Sequence, residues 1–99
     1  MSGSENMILV LAYMKLKEGK KVDLLEITKE LIKKTRLENG NISYNLFNDS
    51  EDENSFVMVE QWESKDHLNA HMEIEHFKKF ADAVGSILAE DLDIKEYDI

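Results

Sequence analysis

Two kinds of hydrophobic spacing alternate along the chain. Met7 to Leu16, MILVLAYMKL, is apolar at both parities and made largely of strand formers, which predicts a strand covered on both faces. Gly19 interrupts it. Val22, Leu25, Ile32 and Leu37, aided by Leu24, Ile27 and Leu31, then recur with helical spacing. That predicts a helix from about Lys20 to Glu38, with Asn39-Gly40 as its left-handed stop. NISYNLF (Asn41 to Phe47) and SFVMVEQWE (Ser55 to Glu63) return to strand character around NDSEDEN, so they predict a hairpin whose turn is that acidic stretch. Ser64 is placed as a helix N-cap, and the helical pattern after it is broken or bent around Glu73 to Glu75. LDIKEYDI, Leu92 to Ile99, closes the chain as a short strand.

The order β-α-β-β-α-β is the ferredoxin-like split unit of the α+β class, an antiparallel sheet with its helices on one face. The other apolar face of such a sheet still needs burial, and a second subunit's sheet is the simplest cover. A homodimer is therefore expected.

Composition narrows this picture. With 99 residues the chain is read as one domain over residues 7–99. Met1 to Asn6, MSGSEN, lacks an apolar anchor and is read as a disordered N-terminal segment or cloning remnant. The chain has no cysteine, which removes disulfides, thiolate metal sites and thiol nucleophiles. A net charge of −9 repels phosphate backbones and anionic membranes, so neither nucleic acid nor membrane is expected as a partner. The longest apolar run is far too short to span a bilayer. A cytoplasmic location is the expectation.

EQWESKDHLNAHMEIEHF, Glu60 to Phe77, holds the single tryptophan, Trp62, and all three histidines, His67, His71 and His76. His67 and His71 lie four apart on one helical face, a spacing that can place two imidazoles on a metal, but a catalytic zinc site needs a third protein ligand and the glutamate of HExxH is missing. No metal is expected. On the third strand Phe56, Met58, Glu60 and Trp62 share one face. Were that face to look toward the helices, Glu60 would be desolvated and in need of a partner. His71 is one candidate, and Lys65 at a solvated strand end is the alternative. Tyr44 shares a face of the second strand with Ile42 and Leu46, as ordinary packing or as a ligand contact.

The run Thr35, Glu38, Gly40, Tyr44, Glu60, Trp62, Ala70-His71 and His76-Phe77 resembles the antibiotic biosynthesis monooxygenase domain, including its small quinol monooxygenase-like members. The resemblance implies a homodimer of face-to-face sheets, a dimeric α+β barrel, with a cavity between sheet and helices in each subunit. It further implies oxygenation without flavin, metal or other cofactor, of a small electron-rich aromatic such as a quinol, by dioxygen. In that reading His71 abstracts a phenolic proton and Glu60 orients it. Tyr44 binds a substrate oxygen, Trp62 stacks on the ring, and Met58, Phe77 and His76 line the cavity. Haem degradation fits less well, because Ala12 stands where those relatives carry an asparagine. Two further readings stay open: a non-catalytic dimeric binding or stress-response module, and an isomerase of a small oxygenated metabolite.

Overall fold

The computed structural model describes residues 6–99; most of the N-terminal segment expected to be disordered, residues 1–5, lies outside them. The elements are β1 (Ile8–Lys15), α1 (Lys21–Thr35), β2 (Asn41–Asp49), β3 (Asp52–Trp62), α2 (Lys65–Met72), α3 (Glu75–Val84) and β4 (Asp93–Asp98). The strands form one antiparallel sheet in the order β2-β3-β1-β4, the ferredoxin-like arrangement expected, with the second helical region divided into α2 and α3 at Glu73-Ile74. Ser64 caps α2 by accepting a hydrogen bond from the His67 amide.

β1 and β3 settle which parity faces the helices. Ile8, Val10, Ala12 and Met14 on β1, and Phe56, Met58, Glu60 and Trp62 on β3, are all buried. They pack with Leu24 and Leu31 of α1, Leu68 of α2, and Phe80 and Val84 of α3 into a single core. On the opposite face of the sheet Tyr13, Phe47 and Tyr97 are exposed, and Leu9, Leu11, Val57 and Val59 only partly covered.

The buried stripe of α1 is rotated from the expected one. Leu24, Thr28, Leu31 and Thr35 turn inward, whereas Val22, Leu25 and Leu37 are exposed, Leu37 at 82%. Thr28 tolerates burial because its hydroxyl donates to the Leu24 carbonyl at 2.8 Å, so a polar residue stands in a row that periodicity assigns to apolar ones. The helix also stops at Thr35, three residues early. The Leu37 and Glu38 amides bond back to the carbonyls of Lys34 and Thr35, tightening the chain into turns before the left-handed Gly40 (φ +86°).

Two further corrections fall on the hairpin. The expected seven-residue turn shrinks to Ser50-Glu51, since β2 and β3 continue through the acidic stretch; Asp49 accepts the Glu51 amide at 2.8 Å and Asp52 the Asn54 amide at 2.9 Å. Ile42 does not share the inner face with Tyr44 and Leu46. The β2–β3 register slips between Asn41 and Ser43, leaving Ile42 as the extra, exposed residue of an irregularity.

Candidate active site

Glu60 stands in the middle of the sheet, opposite Val10 of β1 on one side and Tyr44 of β2 on the other. It is 6% exposed. Its Oε1 accepts a 3.0 Å hydrogen bond from the indole Nε1 of Trp62, two residues along the same strand face. One neutral donor does not compensate desolvation, and the nearby Glu38 carboxylate adds repulsion, so the Glu60 carboxyl is pushed up to about 7. The same two carboxylates, together with burial as the leading cause, push the Tyr44 hydroxyl far above its ordinary value.

A small cavity, about 30 Å³, opens beside Glu60. Tyr44, Met58 and Ala12 wall it from the sheet, Phe77 and Phe80 from α3, and Leu92 and Ile94 from the last segment. Its size suits about one water molecule. Trp62, completely buried, and His71 are not in this wall.

His71 lies behind it. The imidazole is 1% exposed and packs against the rings of Trp62 (4.8 Å between centroids), Phe77 (5.0 Å) and Tyr44 (5.6 Å, edge-on). Its partner is not Glu60. Instead Nδ1 lies 2.8 Å from Oε2 of Glu38, and Nε2 of His76 lies 2.6 Å from that same oxygen. Glu38 reaches both histidines because α1 ends at Thr35 and the following turns carry residue 38 over α2 and α3. Burial lowers the His71 pKa, more than the Glu38 hydrogen bond and charge raise it. The ring is therefore neutral near pH 7, with Nδ1–H donating to Glu38 and Nε2 left as a bare acceptor. Among the described residues, that buried Nε2 has no hydrogen-bond partner.

His76 does not line the Glu60 cavity. It lines a separate groove between α1 and α3, with Glu30, Lys79 and Phe80 among its neighbours. His67 turns away from His71: its Nδ1 pairs with Ser64 Oγ at 2.8 Å and its ring lies against Gly40, with no room for a Cβ there. The donors that do converge with His71 are those of Glu38 and His76, all within 4.8 Å of one another. Two imidazoles and a carboxylate have the composition of a metal-binding set. However, a metal-bound histidine as a rule donates its second N–H to a carboxylate or carbonyl, and His71 Nε2 has no such neighbour. The trio fits a hydrogen-bonded chain better than a metal centre. Glu38 is the residue that site assignment from sequence passed over, although it stands in the quoted Thr35-Glu38-Gly40 run.

A family model described as antibiotic biosynthesis monooxygenase matches residues 7–83. The chain belongs to the antibiotic biosynthesis monooxygenase family. Over 88 residues it is 35% identical to "Putative monooxygenase YcnE" of Bacillus subtilis (strain 168), covering 89% of this chain and 93% of that protein. A shorter stretch of 35 residues, 34% of each chain, is 51% identical to "Probable quinol monooxygenase YgiN" of Escherichia coli K12. Among solved structures, one from Caulobacter crescentus CB15 that bears the same family name superposes with a TM-score of 0.91 at 26% identity, over 96% of this chain and 91% of that one. Membership of the antibiotic biosynthesis monooxygenase family supports a monooxygenase-type function for the chain. Among the described residues, no helix is long and apolar enough to cross a membrane.

Proposed function

We propose that the protein is a cofactor-independent monooxygenase of a small dihydroxylated aromatic, a quinol or polyphenol, and that Glu60 and His71 are its proton acceptors. The observation that carries this reading is the pair of buried acceptors, neither neutralised by a cation, on either side of the Tyr44–Phe77 wall. Deprotonating a quinol makes it electron-rich enough to reduce dioxygen. The substrate then supplies all four electrons: one oxygen atom enters the ring, the other leaves as water, and the diol becomes a quinone. The protein needs only to take protons, exclude water and orient.

Glu60, on the cavity wall and near pH 7 in its titration, meets one hydroxyl directly. Tyr44 faces it across the β2–β3 pair and donates to a substrate oxygen. Phe77 touches both the cavity and the His71 ring, so its rotation enlarges the chamber and brings the second hydroxyl to the bare Nε2. Trp62 holds Glu60 and backs His71 instead of stacking on the substrate. Such displacement is required, because pockets for drug-sized ligands typically measure about 300–1,000 Å³. A second copy of the chain covers the half-exposed apolar face of the sheet.

Oxygen uptake with a menadiol-type hydroquinone tests the assignment. Wild type is expected to exceed autoxidation, and His71→Ala and Glu60→Gln each to lose roughly 100-fold or more. Wild-type uptake no faster than buffer would instead favour the non-catalytic binding module, the reading to which the tight cavity lends some support.

A further inference from the structure

His71 is sealed from solvent, so a proton it takes up reaches water only through the groups that touch the ring. Among the described residues, no hydrogen-bonded path leaves the ring on the sheet side. Its nearest acid, Glu60, bonds to Trp62, and the rings of Tyr44, Trp62 and Phe77 enclose the imidazole. On the helix side there is a continuous one. Glu38 Oε2 touches His71 Nδ1 at 2.8 Å and His76 Nε2 at 2.6 Å, and side-chain exposure rises along the chain from 1% at His71 through 9% at Glu38 to 14% at His76. His76 opens on the α1–α3 groove, about 200 Å³, whose other charged lining residues are Glu26, Glu30 and Lys79. Phe80 belongs to the walls of both the groove and the Glu60 cavity, so α3 divides them.

We propose that Glu38 and His76 form a proton passage between His71 and the α1–α3 groove, so that substrate and protons use opposite sides of α3. This rests on the reading of His71 as a proton acceptor. The substrate O–H bond breaks, its proton bonds to His71 Nε2, and the electron pair stays on the substrate oxygen. The imidazolium releases its Nδ1 proton to Glu38 Oε2. As that proton arrives, the one already shared across the 2.6 Å contact between Glu38 Oε2 and His76 Nε2 settles on His76, and His76 releases the proton on its other ring nitrogen to water in the groove. No electrons move in these steps. The reaction as a whole returns protons to reduced oxygen as water, so the passage runs in both directions and regains its starting tautomers. Glu38 and His76 are positioning and transfer residues and do not touch the substrate.

The test uses the full chain with ¹⁵N-labelled histidine and needs no substrate. Nitrogen shifts should show His71 protonated at Nδ1 in wild type, and its exchange with water should be at least tenfold slower in His76→Phe and His76→Ala. Millimolar free imidazole, small enough for the groove, should restore exchange in His76→Ala alone. A His71 proton on Nε2, or exchange unchanged or faster in a His76→Phe variant whose amide spectrum matches wild type, would overturn the passage. Should His76→Phe not fold, imidazole rescue of His76→Ala decides by itself: without rescue the passage fails. Where hydroquinone turnover is present, His76→Ala should lower kcat with KM unchanged, and imidazole should restore it. His76-dependent exchange in a protein that oxidises no hydroquinone would refute the reaction and not the passage; an active protein with His76-independent exchange would do the reverse.

Discussion

Replacing Glu60 with glutamine keeps an oxygen for the Trp62 indole and removes the ionisable carboxyl. In the unfolded chain this group loses its proton near the ordinary value of 4.5, whereas in the folded protein it holds it to about 7. Between those limits the folded state binds more protons than the unfolded one, so stability falls as pH rises and the cost is complete above 7. A shift from 4.5 to about 7, at about 1.4 kcal/mol per pH unit, makes that cost on the order of 3 kcal/mol. Discounting is slight because the residue is almost wholly buried. Urea unfolding of wild type and Glu60→Gln at pH 5 and pH 8, at one fixed protein concentration, reads it directly. The two should lie within about 1 kcal/mol of each other at pH 5, while at pH 8 the glutamine variant should be more stable by roughly 2–3 kcal/mol. For a domain of this size that corresponds to a rise in Tm of about 10–20 °C. A stability difference that does not change between pH 5 and pH 8 would show that Glu60 is solvated or ion-paired, and would remove it as a base poised near neutrality.

Two other outcomes follow from positions away from the cavity. Gly40→Ala should destabilise by at least about 2 kcal/mol, because residue 40 has positive φ and a Cβ there overlaps the His67 ring; an unchanged denaturation midpoint would contradict that contact. Phe47→Glu, on the outer face of the sheet, should convert a dimer to a monomer in light scattering, whereas a wild type already monomeric at micromolar concentration would disprove the sheet-to-sheet pairing.

The elements whose period is simple were legible. β1, apolar at both parities, and the Ser64 cap gave positions close to those observed, and the order of elements sufficed for the topology. Where a polar residue does an apolar residue's work, the pattern misled. Thr28 and Thr35 occupy the inner row of α1, and a count of hydrophobic residues rotates the helix toward Val22 and Leu37. The site was half legible for a similar reason. Strand parity put Glu60 among Met58 and Trp62, but the partner of His71 comes from 33 residues earlier, off a helix that ends sooner than its composition suggests. Nothing local in the sequence links residue 38 to residues 71 and 76. Only the Thr35-Glu38-Gly40 run of the family pattern places residue 38 beside these histidines, and that pattern names no partner for its carboxylate.

The register of the central strands also fixes the frame of the chamber. Glu60 is pinned between Val10 and Tyr44 by ladders on both flanks, and none of the inward-facing groups around it except Leu92 hangs from a connecting segment. Lengthening or grafting surface loops would leave such a chamber unaltered. Under the proposed function, substrate selectivity is then set by the individual wall side chains Met58, Phe77, Leu92 and Ile94 on a backbone that stays put.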